Sequence, residues 1–300
     1  MNGEHSYLAI LNKVLTQGER KENRTGVGTF AIPPITIEHD MSEGFPLLTT
    51  KKVPFKLIAS ELQFFIQGMT SKLWLQAQNN HIWDEWASAP QVEEIMRLNP
   101  QLSKKESQLY ACDLGPIYGH QWRRFGQPSE EGGSNIGRAI EPKFKFDQLA
   151  NIVYKLKNNP NDRRMVCSAW SPTQLEDMAL PPCHLMWIVN HINGKLHLHW
   201  TQRSADLFLG VPFNLASYAL LLHLLCKEAN MVPGTVTGSL VDCHIYENHL
   251  NQVKEQLSRT PTKLPSIETI NFKNIFSWNY ADTMVHNYSP QAAIKADVAI

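Results

Sequence analysis

Five cysteines among 300 residues, at positions 112, 167, 183, 226 and 243, are too few and too scattered for a disulfide framework. Their number is odd and no Cys-x-x-Cys pair occurs, which also argues against a zinc ribbon, so reduced thiols are expected. Neither sign of charge is in excess: 28 Lys and Arg balance 28 Asp and Glu. No global field therefore favours nucleic acid as the main ligand. No apolar run reaches membrane-spanning length, and the opening MNGEHSYLAILNKV lacks a signal-peptide layout, so a soluble cytoplasmic protein is expected. Internal repeats, long low-complexity tracts and a complete Walker or Rossmann fingerprint are all missing. His197 with His199, and His244 with Tyr246 and His249, lack a full ligand set at metal-binding spacing, and no metal is expected.

What is present is 43% hydrophobic content, enough for one large domain or two small ones. The most informative stretch runs from Leu180 to Tyr218. Pro181 and Pro182 fix two φ angles and remove two donors, so Cys183 sits at a stiffened entry to the next element. His184 to Asn190 and Lys195 to Trp200 read as two strands joined by Asn193-Gly194, a dipeptide favoured in tight hairpins. Alternation turns Leu196, Leu198 and Trp200 to a core and Lys195, His197 and His199 away from it. Asn214 is suited to N-cap the following LASYALLLHLLCKEAN, a helix too apolar for a surface. Cys183 is either a core cysteine or a nucleophile; as a nucleophile it must be thiolate, and Arg203 or the Arg163-Arg164 pair could lower its pKa from about 8.5.

In chain order, Tyr7, Leu8, Leu11, Val14 and Leu15 mark an amphipathic helix over residues 5–17. Arg24-Thr25-Gly26-Val27-Gly28 is compatible with an ordinary hairpin turn or an anion-gripping loop. Glu61 lies inside the apolar helix expected over residues 55–68, on its solvent stripe or buried toward a cavity, where its pKa would rise. Trp83 and Trp86 suit ordinary packing or a wall for a flat heterocycle. Residues 87–112 and 126–142 read as polar, irregular insertions forming a small subdomain, with the island DLGPIYGHQWRRFG between them. Phe146 to Asn158 reads as a helix, after which Arg163-Arg164 opens a strand; both arginines reach one ligand only from a strand end or loop. Val232-Pro233-Gly234 reads as a turn before a strand and a helix, with His244 and Tyr246 on one side of that strand.

LPPCH, then QRSADLFLGVPFN, then DCHIY followed by NH, closely resemble the thymidylate synthase family, and the likeness extends over nearly the whole chain. The resemblance implies an α+β fold, a large bent mixed β-sheet packed against helices, with a sheet face forming an obligate homodimer. Residues 1–300 would then form one such domain, with the subdomain and insertions at about 87–142. It implies reductive methylation of dUMP to dTMP, with 5,10-methylenetetrahydrofolate as co-substrate and reductant. By the same resemblance Cys183 adds to C6 of uracil, Glu61 relays protons, Tyr118 assists loss of the C5 proton, and His184 and Asn214 order the pyrimidine. Arg24, Arg203 and Ser204 would hold the phosphate together with Arg163 and Arg164 contributed across the dimer, and His244 and Tyr246 the deoxyribose. Asp206 would hold the pterin, and Ile82, Trp83, Trp86, Leu180, Gly210, Phe213 and Ala299 would line the folate side under the C-terminal tail.

Three positions depart from the family pattern: Asn23 stands for an aspartate, Pro54 for a residue that is often polar, and Asp297 for a proline in the tail. The nearest alternative is a dUMP 5-hydroxymethylase of the same fold; Trp83 and the Val-Ala-Ile terminus favour reduction. A non-catalytic RNA-binding homologue is disfavoured by the full candidate set and the zero net charge.

Overall fold

A computed structural model describes residues 2–86, 89–126 and 146–298, the side chains of 89–91 excepted. In chain order the helices are α1 Gly3–Gln17, α2 Phe55–Ile66, α3 Leu73–Ala77, α4 Ala89–Leu98, α5 Lys104–Ala111, α6 Tyr118–Arg124, α7 Gln148–Asn158, α8 Gly210–Ala229 and α9 Leu250–Leu257. The strands are β1 Glu19–Lys21, β2 Thr29–Ile32, β3 Ile35–Asp40, β4 Val166–Ser168, β5 His184–Ile192, β6 Lys195–Asp206, β7 Val232–Tyr246, β8 Ser266–Thr269 and β9 Thr283–His286.

β1 to β7 form one mixed sheet in the order β1-β2-β7-β6-β5-β4, with β3 also paired to β7; β8 and β9 form a separate ribbon. Every pair in the large sheet is antiparallel except β6 with β7, which are parallel because α8 carries the chain back between them. The β5–β6 hairpin turns at Asn193 and Gly194, with φ of 49° and 78°, the left-handed pair a two-residue primed turn requires. Leu196, Leu198 and Trp200 are fully enclosed while Lys195, His197 and His199 keep exposure, so the alternation read from the sequence holds. α8 is buried along most of its length, as an all-apolar helix must be, and packs on β6 and β7.

A buried carboxylate organises the N-terminal side. Glu4, with no exposed surface, accepts hydrogen bonds from the N–H groups of Thr49 and Thr50 (2.8 Å each) and from their hydroxyls (2.8 and 2.9 Å). Four donors make burial of that group tolerable and pin residues 49–50 to α1.

Four local expectations are corrected. α8 starts at Gly210, so Asn214 lies inside the helix rather than at its N-cap; Pro212 does not stop it because first-turn N–H groups have no intrahelical partner. Residues 89–111 are not irregular but hold α4 and α5, the latter closed by a Ser103–Glu106 capping box. Val232-Pro233-Gly234 is already strand: Asn230 makes the left-handed turn (φ 53°), and Pro233 sits opposite Leu196 where the ladder shifts register. The strand after Arg163-Arg164 begins only at Val166, leaving both arginines in the preceding turn. Residues 127–145, which include most of the second insertion, and Ala299 lie outside the described residues.

Candidate active site

Cys183 lies just before β5, half-buried, and its position is fixed by the backbone around it. The Arg203 Nε donates to the carbonyl of Pro182 (2.9 Å) and its Nη2 to that of Pro181 (2.7 Å), while the Arg203 N–H donates to the Cys183 carbonyl (2.8 Å). The same Nη2 lies 4.0 Å from Sγ. The proline pair thus offers two carbonyls in fixed directions, and the guanidinium fork reads both. Burial pushes the Cys183 thiol up, while the charges of Arg203 and Arg24 pull it down. Burial wins, so the group is a thiol held beside a guanidinium.

Three rings close around it. The Tyr118 hydroxyl accepts from the Cys183 N–H (2.8 Å), and the Tyr118 ring stacks on His184 at 4.1 Å. His184 Nδ1 lies 2.7 Å from the Tyr218 hydroxyl, and burial lowers the imidazole to about 3, so it acts as a neutral hydrogen-bonding group near pH 7.

Glu61, on α2, accepts a hydrogen bond from the Trp83 indole N–H at 2.8 Å. It keeps some surface, yet burial pushes its carboxyl up to about 7, offset in part by that bond. Of the two readings left open by the sequence, the solvent stripe is excluded: Glu61 is turned inward onto the Trp83 indole. A carboxyl near 7 can accept or release a proton at neutral pH. Trp83 in turn meets Trp86 at 5.6 Å and Tyr118 at 6.2 Å, so the indole wall and the cysteine pocket share members.

Asn214 is oriented by a chain of donors. Trp200 Nε1 donates to Gln202 Oε1 (3.1 Å), and Gln202 Nε2 donates to Asn214 Oδ1 (3.0 Å) and to the Ser204 carbonyl (2.9 Å). The amide flip of Asn214 is thereby set, with its Nδ2 donors left for a ligand.

β7 brings His244 level with Asp206 on β6. His244 Nδ1 faces the Asp242 carbonyl at 3.0 Å, while its buried Nε2 has no hydrogen-bond partner among the described residues. The carbonyl only accepts, so Nδ1 carries the hydrogen and Nε2 is a buried acceptor without a partner, which a ligand hydroxyl would satisfy by donating to it. Tyr246 packs edge-on to the same ring at 5.0 Å. Asp206 Oδ1 accepts from the N–H groups of Phe208 and Leu209 (2.9 and 3.3 Å), holding the turn into α8, beside which Gly210, Phe213 and Leu180 are half-buried.

The arginines are divided. Arg24 stands exposed at the β1–β2 hairpin, whose turn Asn23 holds by accepting from Thr25 N–H (2.8 Å) and donating to the Val27 carbonyl (2.8 Å). The hairpin reading holds, and from this turn the Arg24 charge acts on both Cys183 and Tyr246. Arg163 and Arg164 are exposed at the far edge of the sheet, and Arg164 pairs with Asp162 at 3.0 Å.

Three contributors went unread in the sequence. Gln202 and Tyr218 orient Asn214 and His184, but only the strand and helix register reveals it. Lys51 donates to the Phe208 carbonyl and lies 3.5 Å from the centre of that ring; burial lowers it to about 7 while Asp206 pulls it up. Its only signal was a lysine ahead of an apolar helix. Among the described residues no group of three or more His, Cys, Asp or Glu is placed to hold a metal, and no helix is long and apolar enough to cross a membrane.

A thiol between a guanidinium and a neutral imidazole, with a carboxyl near neutrality across an aromatic wall, suits nucleophilic chemistry on a small flat ligand that carries an anionic end. The thymidylate synthase family model matches residues 5–300. The chain is also 40% identical over 324 aligned residues to a thymidylate synthase of Listeria monocytogenes serotype 4a (strain HCC23), covering 98% of this chain and 99% of that protein. It belongs to the thymidylate synthase family.

Proposed function

We propose that this protein is the methyltransferase its family describes, converting dUMP to dTMP with 5,10-methylenetetrahydrofolate as one-carbon donor and reductant and releasing dihydrofolate. The observation that carries the reading at residue level is Cys183, fixed at 4.0 Å from Arg203 Nη2 and enclosed by Tyr118 and His184.

Cys183 Sγ forms a bond to C6 of the uracil ring, the C5=C6 pair moves toward C5 and O4, and the thiol proton leaves to the surrounding water and carboxyl network. Asn214 Nδ2 and the Glu61 carboxyl, able to hold a proton near pH 7, stabilise charge developing at O4. Tyr118, whose hydroxyl touches the Cys183 N–H, sits where the C5 proton departs. The folate supplies the one-carbon unit and the hydride; Asp206, Trp83, Trp86, Ile82, Leu180, Gly210 and Phe213 form the wall that binds it and keeps water out. His244 and Tyr246 take the deoxyribose hydroxyl, and Arg24, Arg203 and Ser204 the phosphate. Arg163 and Arg164, exposed on their own protomer, complete the phosphate site of a second copy, docked through the sheet face that carries His197, His199 and Thr201. Work in the cytoplasm accords with this chemistry and with reduced thiols.

Nothing among the described residues favours the dUMP 5-hydroxymethylase reading. Purified protein given dUMP and methylenetetrahydrofolate is expected to yield dTMP and dihydrofolate in equal amounts. Formation of 5-hydroxymethyl-dUMP without dihydrofolate would overturn methylation, and absence of either product would overturn the function.

A further inference from the structure

Resting on the functional reading above, we propose that His249 is a positioning residue that locks the C-terminal tail beside the active site through a main-chain carbonyl. The side chain of His249 has no exposed surface, and its Nε2 lies 2.7 Å from the carbonyl oxygen of Asp297. A carbonyl only accepts, so Nε2 is the protonated nitrogen. The ring packs against Phe208 at 5.5 Å and Tyr246 at 5.6 Å. Phe208 is the residue whose carbonyl and ring hold Lys51, and Tyr246 belongs to the deoxyribose set. One imidazole therefore contacts a residue of the proposed deoxyribose set, the ring that holds Lys51, and the tail.

The tail reaches His249 from a fixed base. Gln291 N–H donates to the Thr49 carbonyl at 2.8 Å, and Arg259 Nη1 bridges the carbonyls of Thr50 (2.7 Å) and Ala292 (2.6 Å). Thr49 and Thr50 are the residues that the buried Glu4 immobilises. Between Ala292 and Asp297 the only other hydrogen bond among the described residues is a long one, Gln252 Nε2 to the Lys295 carbonyl at 3.5 Å. The segment is pinned at its base by the Glu4 cluster and at its end by His249, with Ile294 and Ala296 packed against the core between them, so removing one donor at position 249 frees the end alone.

Because the acceptor is a backbone carbonyl, the side chain at 297 is not what holds the tail. Proline there would present the same oxygen, and the Asp297 departure leaves the contact intact.

The test uses the full-length protein. His249→Phe keeps ring packing without the donor, His249→Asn keeps polarity but its amide falls short, and His249→Gln places an amide N–H near the position of Nε2. In the free protein, carboxypeptidase release of the last two residues should quicken about tenfold in the Phe and Asn variants, the order set by one buried hydrogen bond, and return toward wild type with Gln. With substrates, the Phe and Asn variants should show folate KM raised about tenfold, dUMP KM nearly unchanged and more 5-hydroxymethyl-dUMP at the expense of dTMP. Asp297→Pro should match wild type in all four readouts. Unchanged release in the Phe and Asn variants would overturn the proposal, as would equal loss in the Gln variant. Should wild type make no dTMP, the functional reading fails, while the release measurement still decides whether His249 holds the tail.

Discussion

Of the residues proposed for the pyrimidine, Cys183, His184, Asn214 and Glu61 are each tied to a neighbour of their own chain, whereas of the arginines proposed for the phosphate Arg24 and Arg163 stand exposed on turns and only Arg203 is tied, to the carbonyls of Pro181 and Pro182. The first group is buried enough to shift the thiol of Cys183 up, His184 to about 3 and Glu61 to about 7. The difference follows from charge: neutral groups can be enclosed at little cost, while a guanidinium enclosed without partners would carry a desolvation cost of several kcal/mol, so Arg24 and Arg163 stay in water and Arg203 is half-buried only against two carbonyls. Pre-organisation is therefore concentrated around Cys183.

The sharpest way to break this contrast is Cys183→Ala. Turnover should fall by at least about 10⁴-fold with dUMP binding little changed, measured by single-turnover product formation and by titration. The phosphate end should behave oppositely: Arg163→Ala,Arg164→Ala weakens dUMP binding but leaves Cys183 competent. Mixing the two inactive proteins should then restore about a quarter of wild-type activity, because half of the random dimers are hybrids with one complete site. Failure to recover would contradict the shared phosphate site.

Glu61→Gln should lower kcat by about 10²-fold to 10³-fold, with a pH signature of its own. With a raised folded pKa, the folded state binds the proton more tightly than the unfolded state between about 4.5 and about 7. Wild-type stability supplied by this group is full below the lower value and lost as pH rises through the upper. Relative to wild type, the Gln variant should therefore gain on the order of 2 kcal/mol between pH 4.5 and pH 8 in chemical denaturation. The smallest effect belongs to the region remote from the chemistry. Ser103→Ala, which opens the capping box of α5, should cost about 1 kcal/mol and leave kcat unchanged.

Legibility in the sequence tracked how local the determinant is. The β5–β6 hairpin and the burial of α8 could be read because Asn193-Gly194 and an unbroken apolar run carry their own instructions. The start of α8 could not, because whether Pro212 ends or merely opens a helix depends on the Asp206 turn that precedes it. α5 was hidden by weak apolar patterning, although Ser103 and Glu106 at capping-box spacing were there to be read, and the amphipathic α4 was masked by the polar stretch around it. At the site, motif blocks pointed to Cys183, Asn214 and Arg203, but the partners that orient them come from other strands and helices. Gln202 and Tyr218 have meaning only once register is known, and His249 only once the tail is seen to lie on it.

The pairing of β2 and β3 with β7 has a consequence for how the polypeptide emerges from the ribosome. Thr29 finds its ladder partner at Tyr246 and Ile35 at Leu240, so these early strands wait about two hundred residues for a neighbour. Loops that long make closure slow and leave strand edges bare in the meantime. The Arg24 turn, which joins β1 to β2, can take its place near Tyr246 only after β7 has been synthesised. That corner of the molecule is thus assembled late although its first strands are made early, and nascent chains halted before Val232 should be proteolytically soft from their first strand onward.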